Sequence, residues 1–240
     1  MKKVSKKVAS PIQAKLNPIQ KLDQILSNDW QAWTEGSISF GKIGDSSLSS
    51  AQDIDSIGIT VGVDTKMDND QIFGVALRVG NTDVDVGTFG SAVDTNALSL
   101  SVYGINSLED ENFLKHIFGV SYLDSDIVRK NQGNTVTQKG EREGKQIFGS
   151  LDFGREYEDG NLTVTPTGSI DGSYTRLNGY RESGEAALSY NDQDIKSLMA
   201  SLGVLFNRDF YLENLNLKLR SNLEYSKEFA SNSNVVTSYV

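Results

Sequence analysis

Apolar and polar residues alternate along most of the chain, most clearly between residues 56 and 81. In SIGITVGVD a bulky apolar residue occupies every second position, and Ser, Gly or Thr stands between them. The pattern resumes after a polar break in IFGVALRVGN. Because successive strand side chains point to opposite faces, this stretch predicts two β-strands joined by a short turn. The apolar side chains of the two strands are Ile57, Ile59, Val61, Val63, Phe73, Val75, Leu77 and Val79.

Alternation continues after Trp33 and predicts about ten strands. Most of them reach or exceed the roughly 9–11 residues that a tilted strand needs to cross a bilayer, whereas soluble strands typically have about 5–6. Strand length therefore favours an all-β, antiparallel up-and-down transmembrane β-barrel. The predicted strands are Trp33–Gly44, Ile54–Asp64, Ile72–Asn81, Asn96–Ile105, Phe113–Asp124, Lys145–Tyr157, Leu162–Tyr174, Ala186–Tyr190, Ile195–Asn207 and Leu215–Glu228.

Connection lengths support the same fold. Short polar turns at 65–70, 158–160 and 191–194 are interleaved with longer loops at 82–95, 125–143 and 175–185. Outer-membrane barrels have short turns on the periplasmic side and longer loops outside.

The later strands separate their side chains into two kinds of face. SLMASLGVLF places Leu202 and Val204 on an apolar face, which we expect to contact lipid together with the apolar set from 57 to 77. The opposite faces are rich in Ser, Thr and Gly, which suits a confined lumen. A soluble sandwich also has one apolar face, so alternation by itself leaves that alternative open.

The first 29 residues differ from the rest. Asn17 is a typical N-cap residue, and Pro18 suits the first helical position. Apolar residues at helical spacing follow, so we expect a helix over Pro18–Ser27, about 15 Å long.

Composition removes several classes of function. The net charge of −9 argues against nucleic acid as a main partner, and the absence of cysteine excludes disulfides and thiolate chemistry. His116 is the only histidine, and its place within a predicted strand indicates a wall residue. The acidic run at 68–70 lacks the spacing of a calcium loop and indicates a solvated turn. We therefore expect neither an enzyme nor a cofactor or metal site.

The ordered segments IGITVGVD, IFGVALRVGNTDVDV, GSAVDTNALSLSVYG, FGVSYLDSDIVRK and FGSLDFGREYEDGNLTVTPTGSIDGSY, followed by GYRESGEAALSYNDQDIKSLMASLG, carry a resemblance. Over residues 30 to 228 the chain resembles the translocator domain of bacterial autotransporters. The resemblance implies a twelve-stranded barrel in the outer membrane with a helix in its lumen, here Pro18–Ser27. It also implies that Arg78, Lys218, Arg220 and Glu224 face the lumen, where they pair with that helix or with each other; the alternative is that they simply hydrate the wall.

The resemblance further implies export and anchoring of an N-terminal passenger, contact with outer-membrane lipid and insertion by the barrel-assembly machinery as a single copy. Family members end on a strand with a terminal aromatic residue, whereas this chain ends in SNVVTSYV. We therefore expect residues 1–29 to form a linker with the pore helix and residues 30–240 to form an incomplete barrel domain. A porin-like barrel without passenger and a soluble all-β binding module are the alternatives.

Overall fold

Long antiparallel strands account for most of the protein in its computed structural model, which describes residues 30–45, 50–67, 71–130, 136–212, 215–230 and 237–239. The predicted helix Pro18–Ser27 lies outside the described residues. In chain order the strands are β1 Trp30–Ile43, β2 Gln52–Lys66, β3 Ile72–Val86, β4 Ser91–Ser107, β5 Asn112–Lys130, β6 Thr137–Arg155, β7 Tyr157–Asp159, β8 Leu162–Leu177, β9 Tyr180–Arg181, β10 Leu188–Tyr190, β11 Gln193–Leu212, β12 Leu215–Glu228 and β13 Thr237–Tyr239.

The main sheet follows the order β1-β2-β3-β4-β5-β6-β8-β11-β12, and the short β7 pairs with β8. Each long strand is antiparallel to its neighbours, so the sheet is an up-and-down meander. This confirms the predicted fold class. β1 and β12 stand at the two ends of the strand order. The expectation of an incomplete barrel domain stays a prediction.

Two ends of the sheet are distinguished by their connections. One end, the long-loop end, carries the connections at 44–51, 87–90, 131–136 and 178–192. The other, the short-turn end, carries those at 67–71, 108–111, 156–161 and 213–214. β1 starts at the short-turn end, because Trp30 pairs with Thr65. A 3-10 turn, Glu109–Glu111, lies between β4 and β5.

The long strands of the main sheet run 14 to 20 residues, and β3 to β6 in particular extend farther toward the long-loop end than predicted. The predicted loop 82–95 is instead the end of β3, a tight turn at 87–90 and the start of β4. Alternation of Asp and Val continues the period of two through Val86, and Gly87 and Gly90 supply the positive φ angles of 67° and 79° that the turn requires. The predicted loop 125–143 likewise belongs mostly to β5 and β6.

The predicted strand Ala186–Tyr190 is not part of the main sheet. Only Leu188–Tyr190 is a strand, and it pairs with β9 and β13 in a separate three-stranded sheet. Its residues alternate as predicted, but a strand of three residues is too short to cross a bilayer. β10 is instead part of the structured connection at 178–192.

The main sheet curls toward the face that carries Trp33 and Tyr103. These residues lie on β1 and β4, which β2 and β3 separate, yet their ring centroids are 5.9 Å apart at an interplanar angle of 70°. In a flat sheet, strands about 4.8 Å apart would place β1 and β4 about 14 Å from each other. We call this face concave and the opposite face convex.

Glycines permit the close packing of aromatic rings on the concave face. A Cβ atom at Gly62 would lie 2.5 Å from the Trp33 ring, and a Cβ atom at Gly74 would collide with the Tyr103 ring. The alternating small residues of SIGITVGVD thus leave room for side chains from neighbouring strands. Among the described residues, no helix has the length and apolar character required to span a membrane.

Candidate functional site

The concave face is built from polar and small side chains. Directly paired residues of an antiparallel sheet project on the same face, so the register assigns every strand residue to one face. All buried polar residues of the described long strands fall on the concave face: Thr60, Asp64, Ser101, Ser121, Ser125, Gln138, Arg142, Thr165, Thr175 and Ser201. The interior of the curl is therefore polar.

Hydroxyl groups on the concave face bond to one another across strands. Ser99 and Ser121 are register partners whose Oγ atoms are 2.7 Å apart, and Thr95 and Ser125 form a similar pair at 2.9 Å. Further pairs are Ser56–Thr82, Ser201–Ser226 and Gln146–Thr175. Because these groups satisfy each other, the wall is polar without presenting a row of unmet donors and acceptors.

Arg78 lies on the concave face of β3. Its Nη1 atom donates to Thr60 Oγ1 at 3.1 Å, and its Nη2 atom donates to Ser37 Oγ at 2.8 Å. The guanidinium covers Gly58, where a Cβ atom would collide with it. Arg78 thereby joins β1, β2 and β3 across the wall.

The three predicted lumen residues of β12 also share the concave face. Lys218 Nζ is 3.7 Å from an Asp209 carboxylate oxygen, and Glu224 accepts a hydrogen bond from Ser226 at 3.1 Å. Arg220 pairs in register with Asn207. Lys218 and Arg220 line an open polar depression near the short-turn end, which Thr163, Asn207, Asp209 and Asn222 also border.

A part-buried polar network joins β1, β2 and β4 on the concave face near the short-turn end. The Trp33 indole N–H donates to the Tyr103 hydroxyl at 2.5 Å, and that hydroxyl donates to Asp64 at 2.6 Å. Trp33 and Ala76 are the buried apolar residues of the described chain. Sequence reasoning missed this network, because its members lie up to 70 residues apart.

A second network, the Glu182 cluster, orders the connection at 178–192 of the long-loop end. Arg129 Nε and Nη2 donate to the two carboxylate oxygens of Glu182, at 2.8 and 2.5 Å, and the Glu182 side chain is only 1% exposed. The Leu188 backbone N–H and the Tyr190 hydroxyl donate to the same carboxylate. The Tyr180 and Tyr190 rings stack with centroids 4.5 Å apart.

Electrostatics agree with this geometry. Burial by itself would raise the pKa of Glu182, but the hydrogen bonds from Arg129 and from the Leu188 backbone outweigh it and hold the pKa below its ordinary value. Burial also raises the pKa of Tyr180. The only sequence signal for the cluster was the segment GYRESG, which contains Tyr180 and Glu182.

The convex face carries the nine residues predicted to contact lipid. Ile57, Ile59 and Leu202 are 57%, 61% and 71% exposed. Val61, Phe73 and Leu77 are also exposed, whereas Val63, Val75 and Val204 are half-buried. Large apolar side chains thus cover the outside of the curl.

The single histidine lies away from the polar concave face. His116 lies on the convex face of β5, over Gly104 and 6.2 Å from the Phe118 ring centroid. Within the part of the chain that the structure describes, no group of three or more His, Asp or Glu residues is arranged to hold a metal ion.

Comparisons with known proteins agree with this architecture. The family model described as "Autotransporter beta-domain" matches residues 32–240. The translocator domain of the autotransporter NalP from Neisseria meningitidis has a similar structure, with a TM-score of 0.72 and 16% identity over 90% of this chain and 75% of that one. No curated protein matches the chain significantly.

The beta domain of the Bordetella autotransporter BrkA is also similar, with a TM-score of 0.59 and 16% identity over 84% of this chain and 80% of that one. The family match covers almost all of the described strands, and the fold has the polar concave and apolar convex faces that an outer-membrane barrel requires. The chain therefore belongs to the autotransporter beta-domain family, and it is an outer-membrane translocator barrel that exports and anchors an N-terminal passenger.

Proposed function

We propose that the concave face borders the channel through which the passenger segment passes, and that Arg78, Lys218, Arg220 and Glu224 line this channel. The observation that supports the proposal is the inverted burial of the chain. Polar side chains are buried inside the curl, and exposed apolar side chains cover its outside. A water-soluble fold would have the opposite arrangement, because apolar burial drives its folding.

The bonded hydroxyls give this channel a useful property. A translocating peptide carries its own backbone N–H and C=O groups, which must stay hydrated on the way through. The hydroxyl groups of pairs such as Ser99–Ser121 already hydrogen-bond each other, so they bind the backbone of the passing peptide only weakly. Charges of both signs on β12 keep water in the channel without selecting one sign of passenger residue.

The convex residues named from sequence have the complementary role of contacting acyl chains. These residues are Ile57, Ile59, Val61, Val63, Phe73, Val75, Leu77, Leu202 and Val204. Lipid as a solvent favours such a surface, since the apolar atoms that are exposed in the isolated chain are removed from water in a bilayer.

The segment before β1 would then run through the channel. Trp30 stands at the short-turn end, whereas a surface passenger lies beyond the long-loop end. Residues 1–29 would have to cross the whole barrel, and a helix over Pro18–Ser27, about 15 Å long, would occupy part of that path.

Adjacent residues on β8 offer a direct test. Ser169 lies on the concave face and Ile170 on the convex face. Ser169→Trp narrows the channel, so we expect display of an N-terminal epitope on intact cells to fall at least fivefold while the amount of folded barrel is unchanged. Ile170→Trp is the matched control and should retain display within twofold. Equal display by both variants would contradict the proposal.

Three further properties belong to the proposal. The concave face is continuous within one chain, which supports a single-copy channel. The outermost strands β1 and β12 have backbone groups that are costly in hydrocarbon before barrel closure, which supports insertion by the barrel-assembly machinery. The position of His116 on the convex face supports a channel that catalyses no reaction. Sedimentation of the barrel in detergent tests the single copy, and depletion of the barrel-assembly machinery tests assisted insertion. Passenger display by His116→Gln tests whether His116 has a catalytic role.

A further inference from the structure

Charges just beyond the apolar band of the convex face are segregated by strand. Beyond the apolar band, toward the long-loop end, the first charged residue on the convex face is an aspartate on four neighbouring strands and a cation on the next four. The aspartates, on β2 to β5, are Asp55, Asp83, Asp94 and Asp124, and the cations, on β6, β8, β11 and β12, are Lys145, Arg176, Lys196 and Lys227.

Three of these cations lie on neighbouring strands. Lys145 on β6 and Arg176 on β8 are register partners. On β11 the register partner of Arg176 is Asp194, and Lys196 lies two residues closer to the short-turn end, opposite Tyr174 of β8. Arg176 also contacts Asp192 at 2.9 Å, but both side chains remain more than half exposed. With strands about 4.8 Å apart, the three cations extend over about 10 Å.

An apolar groove lies directly beneath these cations. Its floor is bare backbone at Gly172, while the Phe118 ring covers the register partner Gly149. The two glycines lie four residues along their strands from Arg176 and Lys145. A Cβ atom at Gly172 would have its nearest neighbour at 3.9 Å, so the space above it is open. The walls of the groove are Phe118, Ile147, Leu151, Ile170, Tyr174 and Leu198.

We propose that this groove and its three cations bind a phosphorylated lipid of the leaflet at the long-loop end, which is the outer leaflet. Cations that extend over about 10 Å fit a headgroup with more than one phosphate. A groove that reaches from β5 to β11 fits more than one acyl chain. In the register row of Lys145, β2 to β5 carry no charged side chain, so the cations at this level are confined to one side of the barrel; the residues in that row are Ile59, Val79, Leu98 and Tyr122.

The headgroup half of the proposal is tested by native mass spectrometry of the folded barrel in detergent, titrated with lipid A or with dioleoylphosphatidylcholine. We expect lipid A to bind the unmodified chain and Lys145→Gln/Arg176→Gln/Lys196→Gln to bind it at least tenfold more weakly. The matched control, Lys42→Gln/Arg155→Gln/Arg208→Gln, removes three cations elsewhere and should bind normally. Equal binding by both variants, or equal binding of the two lipids, would overturn the proposal.

The groove half needs a different variant. A Cβ atom added at Gly172 or at Gly168 makes only ordinary van der Waals contacts. Gly172→Leu places a side chain on the floor of the groove, and Gly168→Leu adds the same side chain to the same face of β8 outside the groove. We expect weaker lipid A binding only with Gly172→Leu. If Gly172→Leu instead abolished a dimer seen in the same spectra, the occupant would be a second copy of the chain and the proposal would be wrong.

Discussion

The concave and convex faces are made by the same strands, yet they obey different rules. On the concave face, side chains are matched one to one, as in Ser99–Ser121 and in the Trp33–Tyr103–Asp64 network. On the convex face, Ile59 and Leu202 have no such partners among the described residues and are merely apolar. The difference teaches that side chains on the concave face need specific partners, whereas those of the apolar band on the convex face need only hydrophobicity and the right depth.

The largest expected effect comes from a charge placed in the middle of the apolar band. Leu202→Arg should destabilise the folded barrel in lipid vesicles by about 2–4 kcal/mol, because the guanidinium meets hydrocarbon. The free energy of unfolding in guanidinium chloride measures this cost.

Met199→Arg is the control for that experiment. Met199 lies on the concave face of the same strand and pairs with Asp171 and Glu228, so an arginine there should cost less than 1 kcal/mol. Equal costs for the two variants would show that the faces are not in different solvents.

A smaller effect is expected in the Glu182 cluster. Glu182→Gln removes the negative charge that accepts hydrogen bonds from Arg129, Leu188 and Tyr190. The free energy needed to open the loop should therefore fall by about 1.5–3 kcal/mol. Hydrogen exchange of the Leu188 amide reports this opening. Glu185→Gln, a change at a nearby exposed carboxylate, should leave protection unchanged, and faster exchange in that control would discredit the assignment.

Removal of one donor from the short-turn end should cost still less. Trp33→Phe keeps an aromatic ring over Gly62 but loses the N–H bond to Tyr103, so we expect about 0.5–1.5 kcal/mol of destabilisation. Trp30→Phe, at the same end but on the convex face, should change the free energy of unfolding by less. A larger loss of unfolding free energy from Trp30→Phe than from Trp33→Phe would contradict a stabilising role for the indole on the concave face.

Acid should loosen the Glu182 cluster in a defined direction. The pKa of Glu182 is held below its ordinary value of 4.5, so the folded loop binds the proton less readily than the open loop. The contribution to stability is therefore complete above pH 4.5 and is lost as the pH falls through the lower, folded pKa. Leu188 amide protection, corrected for intrinsic exchange, should be constant from pH 7 to 5 and decline below 4.5. Protection that declines between pH 7 and 5 would contradict this.

Local pattern was sufficient to predict the two faces. Alternation placed Ile57, Arg78 and Glu224 on the faces that the structure gives them, because strand period is a local property. Alternation underestimated the length of the strands at the long-loop end. There Asp and Val alternate beyond the apolar band, and polar residues of that kind are also typical of loops. The Trp33–Tyr103 and Arg129–Glu182 contacts could not be predicted, since they join residues 70 and 53 positions apart.

The solvent on each side of the wall can be measured directly, because the chain has no cysteine and a single introduced one can be labelled cleanly. Leu100→Cys and Ser99→Cys place a fluorophore on the convex and concave faces of β4 in lipid vesicles. We predict that nitroxide lipids quench the label at 100 and that aqueous iodide quenches the label at 99. Quenching of the label at 100 by iodide but not by nitroxide lipid would contradict the account.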